Sequence, residues 1–150
     1  MRVVLQRSLE SKVEVEGKVT GSIDNGLVIL VGFTEGDNLE KIDYMVNKIV
    51  NLRIFDDENG VMNRSIIETG GDILAVSQFT LMASTKKGNR PSYIKAAKPE
   101  ISIPLYEEFC SEMELAVNKP IQRGVFGADM KVRLLNDGPV TIFIDSKNRE

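Results

Sequence analysis

Leu27-Val28-Ile29-Leu30-Val31-Gly32-Phe33 is an unbroken apolar run of strand length. A half-buried strand alternates apolar and polar residues. A run without alternation predicts a strand covered on both faces. Upstream, Val13, Val15 and Val19 alternate with polar residues around Glu16-Gly17, which predicts a hairpin turn. Asp24-Asn25-Gly26 is a second turn signal just before the run. Downstream, Asp37 and Glu40 have capping-box spacing, with Asp at the cap, and predict a helix start. Leu39, Ile42, Val46, Ile49, Val50 and Arg53 then share one helical face, all apolar except Arg53.

The rest of the chain extends this pattern. Leu52-Arg53-Ile54-Phe55 turns back towards a strand, and Asp56-Asp57-Glu58-Asn59-Gly60 is a polar turn. Thr69-Gly70-Gly71-Asp72 is another turn, leading into the strand Ile73–Phe79. A second amphipathic helix is predicted over residues 102–118, with Tyr106, Phe109, Met113 and Ala116 as its buried stripe. Pro104 then falls in its first turn, where proline is tolerated. Residues 130–135 and 140–145 read as two final strands joined through Asn136-Asp137-Gly138-Pro139, good turn chemistry. Strands and helices do not alternate strictly, so the class is α+β. At 150 residues the chain reads as one domain, residues 1–150.

Composition narrows the chemistry. The chain has no histidine and one cysteine, Cys110. A Ser-His-Asp triad, a His-ligated zinc and a thiolate cage are therefore all out of reach. No apolar run approaches the ~20 residues needed to span a bilayer, and charge returns at Arg7 and Glu10, so no leader is read. The expectation is a cytoplasmic protein without a membrane partner. Net charge is −3, yet Ala83 to Pro99 carries Lys86, Lys87, Arg90, Lys95 and Lys98 with no acid. On charge alone this stretch reads as a solvated loop.

Two segments can carry chemistry. In Ser77-Gln78-Phe79-Thr80-Leu81 a strand ends among hydroxyls, an amide and an aromatic. If the strand stops there, the N–H groups of Phe79 and Thr80 leave the ladder and can serve an oxyanion hole. The alternative is an ordinary strand end. Thr80 as a nucleophile lacks a histidine base, which favours a supporting role. Gly138-Pro139 reads either as a plain turn or as a rigid backbone feature.

Taken together, these segments resemble the paired signature of the D-aminoacyl-tRNA deacylases. The resemblance spans nearly the whole chain. It includes Arg2-Val3-Val4-Leu5-Gln6-Arg7, the Gly32 strand, Asn51-Leu52-Arg53-Ile54-Phe55 and Met62-Asn63. It continues in Lys86-Lys87-Gly88-Asn89-Arg90-Pro91 and Phe126-Gly127-Ala128-Asp129-Met130. It implies mostly antiparallel, barrel-like sheets flanked by two main helices. It also implies hydrolysis of the ester of D-aminoacyl-tRNA, and of mischarged glycyl-tRNA, with no cofactor, metal or DNA partner. The site carried over is Ser77, Gln78, Phe79 and Thr80 at the ester and terminal adenosine, with Phe126 and Met130 in the substrate pocket. Gly138 and Pro139, as a cis peptide reaching into the other subunit of a homodimer, exclude L side chains. Lys86, Lys87 and Arg90 face the tRNA acceptor end. Ser84 and Arg123 are atypical for the family. Two rival classes, an inactive tRNA-end binder and a ligand-free structural dimer, leave the hydroxyl and Gly-Pro segments or the basic stretch unexplained.

Overall fold

The computed structural model describes residues 1–150. Its elements run β1 (Arg2–Val15), β2 (Lys18–Gly32), α1 (Leu39–Asn51), β3 (Phe55–Asp56), β4 (Met62–Arg64), α2 (Ile66–Thr69) and β5 (Asp72–Ser77). A 3₁₀ turn (Phe79–Met82), α3 (Pro99–Val117), β6 (Gln122–Arg123) and β7 (Lys131–Asp145) complete the chain. The class is α+β, with two main helices, α1 and α3.

The main sheet has five strands in the order β6-β5-β2-β1-β7. β1 pairs antiparallel with β2 and with β7, while β5 joins β2 in parallel and β6 joins β5 in parallel. The sheet is therefore mixed, and it is mostly antiparallel, as expected, because the long β1 pairings are antiparallel and only the shorter β5 and β6 pairings are parallel. The parallel part arises because the chain leaves β2, crosses through α1 and α2, and returns in the same direction. β6 and β7 end the sheet on opposite sides, so the pairing is an open order and not the closed ring of a barrel-like sheet.

The apolar run behaves as its composition predicts. Leu27, Ile29 and Val31 enter a core cluster with Val3, Leu5, Ile73 and the helix residues Ile42, Ile49, Phe109 and Met113. Val28 faces the opposite side, in a smaller cluster with Val13, Ile23, Leu74 and Val76. Glu16-Gly17 is the turn between β1 and β2, as expected.

Four local readings are corrected. Asp24-Asn25-Gly26 is not a turn, because β2 continues through it, with Asn25 opposite Leu9 and Gly26 opposite both Ser8 and Asp72. Pairing with β1, and at Gly26 also with β5, overrides the local turn propensity. The cap of α1 is Asn38, whose side chain accepts from the Lys41 N–H. Asp37 instead accepts from the Met1 ammonium at 2.7 Å and from the Thr34 N–H at 2.8 Å. α3 begins at Pro99, one turn earlier than predicted, so Pro104 lies inside it and withholds one helical N–H. The two predicted final strands are one long strand, Lys131–Asp145, and Met130 lies just before it. Gln6 pairs with Thr141 and Ser8 with Asn136, so the residues between are extruded from the ladder as a bulge.

The polar turn after Phe55 is as expected and closes the β3–β4 hairpin. The short helix α2 went unpredicted although Ser65 and Glu68 complete a reciprocal capping box in front of it. No helix is long and apolar enough to cross a membrane.

Candidate active site

β5 ends against β2. Ser77 pairs with Val31, and the Gln78 N–H donates to the Val31 carbonyl at 2.7 Å. The backbone then leaves extended geometry at Gln78 (φ −144°, ψ 82°) and enters the 3₁₀ turn. Gly32 makes this possible. A Cβ there would lie 2.6 Å from the Gln78 carbonyl oxygen, so only glycine lets the two backbones approach. The first bond of the turn runs from the Leu81 N–H to the Gln78 carbonyl at 3.2 Å. The Phe79 and Thr80 N–H groups precede it, as donors at the start of any helical turn do. This is the strand termination that the oxyanion-hole reading requires.

The break opens onto a cavity of about 510 Å³. Ser77, Gln78 and Phe79 line it, with Phe126 and Met130 from the segment before β7 and Ser102 from α3. Five sequence-predicted residues thus meet in one place. Thr80 lies outside the lining, where its hydroxyl accepts from the Gln78 side-chain amide. It orients Gln78, consistent with a supporting role. Phe126 leans on Tyr106, ring centroids 5.7 Å apart, and the Tyr106 hydroxyl donates to the Ala75 carbonyl at 3.2 Å. Burial pushes the Tyr106 hydroxyl pKa up. Burial also pushes the Cys110 thiol up to about 11, which removes it as a nucleophile at neutral pH. No group of three or more His, Cys, Asp or Glu side chains is gathered to hold a metal ion.

Gly138 and Pro139 are not part of this cavity's lining within one chain. They form the tip of the β7 bulge, joined by a cis peptide bond. The bulge is held from below. The Val140 N–H donates to the Asn136 side-chain oxygen at 3.2 Å, and the Asn136 amide donates to the Thr141 hydroxyl at 3.0 Å. Arg7, nearly buried, donates through Nε to the Asp137 carbonyl at 3.3 Å and pairs with its carboxylate at 3.1 Å. Its Nη1 donates to the Ile54 carbonyl at 2.8 Å and to Asp56 at 3.2 Å. Arg7 therefore anchors the bulge to the body of the protein. In the sequence it stood out only as part of the opening motif and as a charge that interrupts an apolar start. Its one available signal was a cation in a strand position that alternation turns inward.

Lys86, Lys87 and Arg90 sit on an exposed loop, and none of them forms an ion pair. The loop is closed at its base by the Ser84–Ser92 bridge, N–H to carbonyl in both directions at 2.8 and 3.0 Å. The atypical Ser84 thus contributes through its backbone. The atypical Arg123 pairs with Glu107 at 2.9 Å and Glu114 at 3.5 Å, tying β6 to α3.

Comparison with known proteins identifies the family. Residues 4–145 match the family model described as D-Tyr-tRNA(Tyr) deacylase. The chain belongs to the D-Tyr-tRNA(Tyr) deacylase family. It is 65% identical to the D-aminoacyl-tRNA deacylase of Bacteroides thetaiotaomicron and 61% identical to that of Parabacteroides distasonis, each over the full length of both chains. The solved structure of a c-Myc DNA unwinding element binding protein superposes with a TM-score of 0.92 at 37% identity, covering 97% of this chain and 98% of that one. A probable eukaryotic D-amino acid tRNA deacylase shares the fold with a TM-score of 0.81 at 20% identity, over 95% and 97%. The activity is that of a D-aminoacyl-tRNA deacylase, a hydrolase, and the substrate class is tRNA.

Proposed function

We propose that the cavity at the end of β5 binds the 3′-terminal aminoacyl-adenosine of D-aminoacyl-tRNA and that its ester is cleaved there by water. The observation that carries this reading is the strand break at Gln78. It presents Ser77, Gln78 and Phe79 to the cavity and leaves the Phe79 and Thr80 N–H groups ahead of the first turn bond. Water adds to the ester carbonyl carbon, and the two N–H groups receive the negative charge that develops on the carbonyl oxygen. The intermediate collapses by expelling the ribose oxygen, which takes up a proton. One such donor is worth ~3 kcal/mol of barrier. The family resemblance supplies the activator, the neighbouring 2′-hydroxyl of the terminal adenosine, and the chain's lack of histidine is compatible with it. Thr80 keeps Gln78 in place.

Stereochemical choice is assigned to the bulge of a second copy. In a homodimer, Gly138-Pro139 of each subunit enters the other's cavity, and its backbone blocks the direction an L side chain would take. A rigid clash rejects more firmly than an apolar pocket discriminates. Glycine has no side chain to clash, so glycyl-tRNA is also a substrate. Two features support the dimer. β7 is an edge strand of 15 residues, and it leaves the apolar Leu135 and Phe143 exposed. Long apolar edges are pairing surfaces unless covered. Lys86, Lys87 and Arg90 contact phosphates near the acceptor end, and the compartment is the cytoplasm.

The test is amino-acid release from D-Tyr-tRNA, L-Tyr-tRNA and Gly-tRNA by the purified protein. Release from the D and glycyl esters, with the L ester spared, is expected. Equal release from D and L esters contradicts the assigned role of the bulge.

A further inference from the structure

The basic segment ends beside an aromatic pair that the cleavage step leaves unused. We propose that Phe79 and Tyr93 form a stacking platform at the cavity mouth for the unpaired nucleobase preceding the terminal aminoacylated nucleotide of an RNA 3′ end. The inference rests on the reading of the cavity given above.

The two rings meet edge to face, centroids 5.2 Å apart and planes inclined by 72°. Such a pair leaves ring faces open. Phe79 is 57% exposed and Tyr93 40% exposed, far from the burial that core aromatics reach. Phe79 lines the cavity and Tyr93 does not, so the pair leads from the cavity outward. Tyr93 is held in position. The Ser84–Ser92 bridge precedes it, and its carbonyl accepts from the Ala96 N–H at 2.9 Å.

Charge identifies the occupant. Lys86, Lys87 and Arg90 precede Tyr93, and Lys95 follows it. None of the four forms an ion pair, and no acid occurs between Ala83 and Pro99. Unpaired cations around exposed rings match single-stranded nucleic acid, whose phosphates take the charges while a base takes the ring face. A strand whose last nucleotide occupies the cavity must leave through this mouth, which brings the preceding base to the pair. Stacking is tolerant of base identity, so the platform adds affinity without adding sequence preference.

The experiment uses an RNA trinucleotide ending in adenosine, with fluorescent 2-aminopurine at the penultimate position, titrated with the full-length protein. Wild type and Tyr93→Phe should quench the fluorophore. Tyr93→Ala, and Tyr93→Leu with its bulk but no flat face, should lose the quench and weaken binding roughly five- to thirty-fold. In turnover, Tyr93→Ala should raise KM for the trinucleotide D-tyrosyl ester more than for the D-tyrosyl adenosine ester, which has no preceding base. Equal quenching by all four proteins, or an equal KM rise on both esters, overturns the platform. So does a Tyr93→Ala protein that changes its sedimentation but keeps the quench, because the pair is then a contact between copies. Wild-type hydrolysis of D-Tyr-tRNA without quenching refutes the platform alone. Quenching without hydrolysis refutes the deacylation reading and leaves the platform standing.

Discussion

Gly138 has φ +124°, a conformation that side-chain-bearing residues rarely adopt. A Cβ there would meet the Val140 nitrogen at 3.0 Å and the Arg7 Nη2 at 3.2 Å. Gly138→Ala should therefore displace the bulge and loosen the Arg7 anchor, at a cost of ~1–3 kcal/mol. If the bulge excludes L side chains, the D-over-L ratio of kcat/KM falls by roughly tenfold or more, equivalent to ~1.4 kcal/mol. An unchanged ratio and melting temperature would contradict both parts. Asp145 offers a pH test. Burial pulls its carboxyl pKa up, but the Lys147 N–H and Arg2 outweigh this and hold it below its ordinary value of 3.8. Its oxygens accept from Arg2 Nε at 2.9 Å and from the Lys147 N–H at 2.8 Å. As pH falls, the unfolded chain takes the proton first. The contribution is complete above the unfolded pKa of ~3.9 and is lost as pH falls through the lower folded value. Asp145→Asn should cost about 1 kcal/mol or less at pH 7 and flatten the acid limb of stability against pH, read from urea midpoints. At this scale the residue types of the site were legible in the sequence. Arg7 was not, because its partners Ile54, Asp56 and Asp137 lie far away in the chain.

At the scale of elements, the long apolar strand and the two main helices were readable from periodicity, because burial of one face or of both leaves a pattern in the chain. The failures share one cause. Asp24-Asn25-Gly26 has turn chemistry but lies inside β2, where Asn25 pairs with β1 and Gly26 with both β1 and β5, and Asn136-Asp137-Gly138-Pro139 has turn chemistry but is a bulge against β1. Local propensity cannot report a partner strand. Asp37 looked like a cap but serves the Met1 ammonium, a contact between residues brought together by β1 and α1. The proposed role of the basic loop is tested at this scale too. Replacing Lys86, Lys87 and Arg90 together with alanine should weaken tRNA binding. It should also flatten the log–log salt dependence by roughly 2 if each cation meets one phosphate of a single-stranded end. A slope equal to wild type would make the loop a merely solvated one.

For the molecule as a whole, the proposed site is complete only with a second copy, since Gly138 and Pro139 do not line the cavity of their own chain. Sedimentation equilibrium at micromolar concentration should give twice the chain mass, and Phe143→Glu on the exposed edge strand should shift it towards the monomer. A wild-type monomer would remove the assigned basis of stereochemical choice. The sequence by itself determined the α+β class, the doubly covered central strand and the exclusion of histidine chemistry, and its resemblance to the family pointed to the segments where hydrolysis had to be sought. The first three follow from residue types and their spacing, which act locally along the chain. Only the tertiary structure decided that the sheet is open and mixed, that Ser77, Gln78, Phe79, Phe126 and Met130 line one cavity, and that Arg7 holds the Gly-Pro bulge. Those facts depend on pairing and packing between residues distant in sequence, and no periodicity within a single segment records which segment will lie beside it.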